Sequence, residues 1–308
     1  MKSILLTVIA AALLLSGCGA SGENTQVAPP TDFSYAPITV TTDTTEARSG
    51  EDTTEVSLED LPIDPPYSFD PDEMSASDFG DYFSEKYDST VSTYRLLEGD
   101  KYETEVTVIK SPNAGPSVYV IAGIHGDEEA AWQAGKLLKR VTVKSGTLYV
   151  IAPANKYGAV SHSRYIGKTD PNRVWPGDPD GNNAERVAYS IFNDVKDKDP
   201  DFVFDLHEAR VISADRDFLG SSLIYSSLDV FPDDLFMDIM DDSQTGKICN
   251  HKLNSYSPGP AGSINRTMTE KLGKPTFTVE TFRGYQMEDR IHDQLDVVNW
   301  VLKFYGLE

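Results

Sequence analysis

Three short stretches of this 308-residue chain carry side chains of the kinds that could bind a divalent ion or work beside one. The first is Ile124-His125-Gly126-Asp127-Glu128-Glu129. His125 and Glu128 stand three apart at the predicted entry to a helix. That spacing puts an imidazole and a carboxylate on one side of the first turn, within reach of one ion. Gly126 between them lets the backbone turn sharply. A surface histidine beside an acid favoured at a helix N-terminus explains the same pattern. The second stretch is Asp205-Leu206-His207-Glu208, in which an apolar strand leads straight into His207. Two histidines and a carboxylate, with a fourth position left to water, form a common catalytic zinc shell. A core histidine with a backbone partner is the plainer alternative. The third is Pro275-Thr276-Phe277-Thr278-Val279-Glu280-Thr281, where an apolar strand ends on a carboxylate. Buried charges need a task or a partner. Glu280 is either a general base for a metal-activated water or half of a salt bridge, for instance with Arg283. A Gly/Pro loop, 163–177, adds Arg164, Asp170, Asn172 and Arg173. Its guanidinium forks can clamp a carboxylate, or stand solvated. The other histidines, His162, His251 and His292, have no acid at a comparable strand end.

The elements needed to bring these residues together are legible around them. Glu105–Lys110 alternates like a strand. Ser117–Gly123, Thr147–Ala152, Phe202–Leu206 and Thr276–Val279 are near-continuous apolar or β-branched runs, as expected of strands buried on both faces. Helical spacing covers Glu128–Arg140 and roughly 183–197, 232–241 and 287–304, the last with Ile291, Leu295, Val298 and Leu302 on one stripe. Alternating strands and helices predict a layered α/β fold with a largely parallel sheet. The candidate ligands then fall at the carboxyl ends of strands, where open sheets place their sites.

Taken in order, His125-Gly-Asp-Glu128, Arg164-Tyr-Ile, Asp170-Pro-Asn172-Arg173, Asp205-Leu-His207 and Glu280 resemble the succinylglutamate desuccinylase and aspartoacylase family of the zinc carboxypeptidase superfamily. The resemblance covers roughly residues 100–285. It implies a three-layer α/β/α sandwich around a mixed, mostly parallel central sheet. It implies one zinc ion on His125, Glu128 and His207, with Asp170 behind a ligand histidine to orient it. It further implies Arg164 as oxyanion stabiliser, Glu280 as the catalytic carboxylate, and Asn172 with Arg173 as the grip on a substrate carboxylate. Tyr256 and Arg266, the latter in the loop Gly262-Ser263-Ile264-Asn265-Arg266, stand about where carboxypeptidases place substrate-binding residues. Pro171 replaces the leucine common in the aspartoacylase motif, and only 28 residues follow Glu280. The expected activity is hydrolysis of an amide next to a carboxylate, in an N-acyl amino acid or a small peptide. A non-catalytic ligand- or metal-binding lipoprotein is the alternative.

The remaining features set the context. Residues 1–18 read as a bacterial lipoprotein signal peptide: a basic start, an apolar run too short to span a bilayer, and Leu15-Ser16-Gly17-Cys18, which makes Cys18 the expected lipidation site. Residues 19–75 carry seven prolines between Pro29 and Pro71 and a net charge of −12, and predict a disordered acidic linker. Residues 76–308 form the expected catalytic domain, outside the cytoplasm and tied to the membrane only by its lipid. A lipidated Cys18 leaves Cys249 without an intramolecular disulfide partner. The total charge of −22 argues against a nucleic-acid partner, which needs clustered Lys and Arg.

Overall fold

The computed structural model describes Phe79, Tyr82 and residues 86–209 and 219–308. The leader with Cys18 and the linker 19–75 lie outside these residues. Among the described residues, eight strands form one sheet: β1 (Thr90–Leu96), β2 (Thr104–Lys110), β3 (Ser117–Ala122), β4 (Thr147–Ile151), β5 (Phe202–Ala209), β6 (Ser222–Ile224), β7 (Asn254–Tyr256) and β8 (Thr276–Phe282). Their order is β1-β2-β4-β3-β5-β8-β6-β7. The centre, β4-β3-β5-β8, is parallel, and β1, β2 and β6 join antiparallel. The mixed, mostly parallel sheet expected from the sequence is present.

Six helices accompany it: α1 (Glu129–Leu138), α2 (Lys156–Val160), α3 (Asn183–Lys198), α4 (Leu235–Gln244), α5 (Ile264–Leu272) and α6 (Met287–Phe304). Side chains alternate across each strand, so each face collects its own core. Val118, Val120, Phe204, Leu206, Leu223 and Val279 pack with apolar residues of α1, α4 and α6. Tyr119, Ile121, Ile151 and Val203 pack with those of α3 and α5. Ile291, Leu295, Val298 and Leu302 are all buried, as their spacing requires.

The chain leaves β3 through α1 to β4 on one side, and returns through α3 to β5 on the other. The end of β3 is therefore a topological switch point, where connections diverge and open a crevice. His125 lies three residues beyond that end.

Several boundaries differ from the sequence reading. α1 starts at Glu129, so Glu128 is its capping residue and His125 belongs to the preceding loop. β5 runs on to Ala209 and β8 to Phe282, which places His207 and Glu280 inside strands. The segment read as a specificity loop is instead the cap and first turn of α5, with Ser263 accepting from the Arg266 N–H. β1, β6 and β7 had no sequence signal: β1 is an exposed edge, and the other two are three residues long. No helix among the described residues is long and apolar enough to cross a membrane.

Candidate active site

Each end of the site is set by local backbone chemistry. The loop carrying His125 is pinned by the Gly126 N–H on the Ser163 carbonyl and by the Trp132 indole on the Gly126 carbonyl, both at 3.0 Å. A Cβ on Gly126 would fall 1.9 Å from the Gly158 carbonyl carbon, so glycine is required by close approach rather than by a turn. Asp170 caps a short 3-10 turn, Pro171–Arg173, by accepting from the Asn172 N–H. Pro171 fits there because the first helical position needs no N–H and has the φ that proline supplies. His207 and Glu280 are direct neighbours across the parallel β5–β8 ladder. Neighbours in register share a face, here the one carrying α3 and α5.

These elements converge on Glu128. His125 Nδ1 lies 2.8 Å from one of its carboxylate oxygens, and His207 Nδ1 lies 2.6 Å from the other. The imidazole rings are 4.7 Å apart, and each of the three residues is almost fully buried. Ligand atoms from all three lie within 4.8 Å of one another, so the trio can hold a metal ion. The far nitrogens are braced: His125 Nε2 sits 2.9 Å from Asp170, and His207 Nε2 sits 2.7 Å from Asp205. A proton held at Nε2 leaves the Nδ1 lone pair facing inward, which is how carboxylates prepare histidines for a metal. The donor set of two imidazoles and one carboxylate suits zinc with an open position. Carboxyl groups crowd the site: beside Glu128, Asp170, Asp205 and Glu280 stand the Arg164 guanidinium, paired with Glu128 and Asp170, and Arg283, 3.9 Å from Glu128.

The electrostatics follow from burial and pairing. Burial opposes a charge on His207, but Asp205 and Glu128 raise it well above the ordinary imidazole value. Burial works against the Glu128 carboxylate too, yet His125 and His207 hold it well below the usual range. Asp170 is likewise held low by His125 and Arg164 despite burial. Glu280 goes the other way. Burial, then the neighbouring Glu128 and Asp205, push it up to about 8 against the pull of His207 and Arg164. Among the described residues nothing donates a hydrogen bond to the Glu280 carboxyl, and the residue is mostly buried.

The loop residues divide. Arg164 donates from Nη1 to Glu128 at 3.1 Å and from Nε and Nη2 to Asp170 at 3.2 and 3.0 Å. Five N–H groups minus those three leave one on each terminal nitrogen. Asn172 is buried, and its amide lies against His207, Asp205 and the start of α5. Nδ2 lies 3.0 Å from His207 Nε2 and 3.5 Å from Asp205, and Oδ1 accepts from the Ile264 N–H at 2.8 Å. In this arrangement Asn172 joins the histidine to the start of α5 rather than facing an open pocket. Arg173 is exposed, and among the described residues its side chain is tied through Nη1, to the Asn172 carbonyl at 2.7 Å. Arg266 pairs with Glu270 one turn along α5 and contacts none of the ligand residues. Tyr256 ends the edge strand β7, in register with Ile224 of β6. Arg283 pairs with Asp127 at 3.3 Å and approaches Glu128 to 3.9 Å, leaving Glu280 without it.

Sequence reasoning gave Asp205, Glu208, Arg290 and Gln294 no role. Asp205 had one usable signal: it lies two residues before His207 in a strand, hence on the same face. Arg290 and Gln294 sit on a helix read only for its apolar stripe.

No curated protein matches the chain. Solved structures share its fold at low identity. A succinylglutamate desuccinylase/aspartoacylase from Rhodobacter sphaeroides is 20% identical, with a TM-score of 0.52 over 72% of this chain and 66% of that one, so the chain spans about two thirds of it. An aspartoacylase family protein from Mesorhizobium loti is 19% identical, with a TM-score of 0.54 over 80% and 72%. The cell shape determinant protein Csd4 from Helicobacter pylori is 16% identical, with a TM-score of 0.55 over 71% and 55%. Residues 114–302 match the family model described as the succinylglutamate desuccinylase/aspartoacylase catalytic domain, and they include all five motifs. With more than half of its length matched, the chain belongs to the succinylglutamate desuccinylase/aspartoacylase family.

Proposed function

We propose that this protein is a zinc-dependent hydrolase that cleaves an amide bond adjacent to a carboxylate, in an N-acyl amino acid or a small peptide. The observation that carries the reading is the convergence of His125 Nδ1 and His207 Nδ1 on Glu128, with Glu280 beside His207 across the β5–β8 ladder. A divalent ion bound there lowers the pKa of water and polarises a carbonyl. The chain's own residues do the rest. Glu280, beside His207 on the same face of the sheet, takes in its ionised form a proton from the attacking water as the new C–O bond forms. It then gives that proton to the amide nitrogen as the C–N bond breaks, leaving a carboxylate and an amine. The two uncommitted N–H groups of Arg164 meet the oxyanion that develops on the carbonyl oxygen. Arg173, exposed and tied through Nη1 alone among the described residues, binds the substrate carboxylate and fixes which amide is presented. Asn172 keeps His207 in place from behind.

We further propose that Cys18 carries a lipid, that residues 19–75 act as a spacer, and that residues 76–308 work at the bacterial cell envelope. The functional experiment is metal quantification on purified protein, paired with turnover assays on N-acyl amino acids and C-terminal peptides. Glu280→Gln is expected to lose turnover by roughly a hundredfold or more while keeping its zinc. Full activity in that variant, or purified protein that takes up no divalent ion, defeats the proposal.

A further inference from the structure

The far side of the sheet carries a polar cluster in an otherwise apolar interface. Side chains alternate along β5, so Asp205 and His207 face the site while Leu206 and Glu208 face α1 and α6. Glu208 is 3% exposed. One of its oxygens accepts from the Ala130 N–H at 3.0 Å, in the first turn of α1, and the other is paired with Arg290 Nη1 on α6. The Glu208 backbone N–H donates to the Glu128 carboxylate at 3.1 Å. One turn further along α6, Gln294 donates to the His207 carbonyl and to Thr281 Oγ1, both at 3.0 Å.

Burying a carboxylate and a guanidinium is costly and is not a general route to stability. Here the ions have a specific geometric effect. Glu128 is the residue that caps α1, yet its side chain makes no capping hydrogen bond, being turned toward the two histidines. Glu208 does the capping instead, from a strand nearly 80 residues away. The start of α1, and with it the backbone of Glu128, is therefore set by the same residue whose N–H orients the Glu128 carboxylate. Arg290 holds Glu208 in that position, and Gln294 holds the strand at His207.

We infer that Glu208 and Arg290 are positioning residues for the metal centre: the pair clamps the start of α1 to β5 and so fixes Glu128 against His207. The inference rests on the reading of His125, Glu128 and His207 as metal ligands. It predicts an effect on ion affinity separable from folding. Partners that orient ligands typically contribute 10- to 100-fold to metal affinity.

The test titrates the full-length protein with Zn2+ against a competing chelator, and records thermal melting of the metal-free form. Glu208→Ala and Arg290→Met should each weaken zinc binding about tenfold or more. Arg290→Lys, which keeps the charge, should recover part of the loss. Glu208→Gln keeps an acceptor for Ala130 and should bind better than Glu208→Ala; it replaces that variant if alanine prevents folding. Folded variants whose zinc affinity equals the wild type overturn the clamp, even if their melting temperatures fall, because that is the result of a purely structural cap. Wild-type protein that binds no zinc removes the metal-site reading and the clamp together. The two failures are told apart by the wild-type titration alone.

Discussion

Arg173 and Asn172 are adjacent in sequence and opposite in freedom. Asn172 lays its amide against His207, Asp205 and α5, whereas Arg173 stands at an exposed position, tied through Nη1 among the described residues. An exposed cation that binds a substrate carboxylate equally in ground and transition states changes KM and leaves kcat nearly alone. Arg173→Met should therefore raise KM by about tenfold or more, a loss of roughly 1.4 kcal/mol or more in binding, with kcat within a few-fold. A fall in kcat at unchanged KM would move Arg173 from substrate binding to the chemical step. Asn172→Ala should behave differently. It strands a buried N–H at Ile264 and unbraces His207, which costs about 1–3 kcal/mol of stability. The pair also illustrates what sequence can reveal at this scale. Residue type and order singled out His125, Glu128 and His207, and the fold brings the three within reach of one ion. Type and order could not separate an exposed arginine from an engaged asparagine, since that depends on which backbone N–H the fold brings alongside. Arg266, placed at the site only by its approximate position in the sequence, pairs with Glu270 one turn along its own helix.

At the scale of elements, the site depends on how α5 begins. Ser263 caps the helix, and Gly262 ahead of it has φ +72°, with the place of a Cβ only 2.3 Å from the Arg173 carbonyl oxygen. Trp175 N–H donates to the Gly262 carbonyl at 3.0 Å, so the loop bearing Asn172 and Arg173 rests directly on this cap. Ser263→Ala removes one side-chain cap and should cost about 1 kcal/mol, read as a lower denaturation midpoint with little change in KM. Gly262→Ala meets both a left-handed backbone and a backbone contact. It should destabilise more than Ser263→Ala and raise KM as well, because the strain is relieved only by moving Arg173. Equal effects from the two variants would show that the cap does not support the loop. The sequence pattern alone does not mark where this helix begins, because Pro258, Gly259, Pro260 and Gly262 precede it and the helix itself is short. The central strands and α6 were plain because burial on both faces, or along one stripe, leaves a periodic pattern. β1, exposed along most of its length, and the three-residue β6 and β7 leave none.

For the whole molecule, the carboxyl groups crowded around the ligands link folding, protons and metal. In the metal-free protein Glu128 is held below its ordinary value of 4.5, so its pairing stabilises the fold above that pH and is lost as pH falls further. His207 is raised above 6.5, so its contribution is complete below that value and disappears as pH climbs through its folded value. Glu280, lifted from 4.5 to about 8, also binds its proton more tightly when folded, and it too makes the fold lose stability as pH rises across that interval. From neutral to mildly alkaline pH both changes have the same sign, and the metal-free protein should melt at progressively lower temperature. A divalent ion reverses the trend, because it competes with protons for the histidine nitrogens and stabilises by RT ln(1 + [L]/Kd). The zinc-induced rise in melting temperature should therefore be larger near pH 8 than near pH 6 at the same free zinc. Melting curves of chelator-treated and zinc-loaded protein across this range make the comparison directly. If the zinc-induced shift were the same at both ends, the ion would be binding somewhere other than the paired His207–Glu128 centre, since a strongly held proton must leave that centre before the metal can enter.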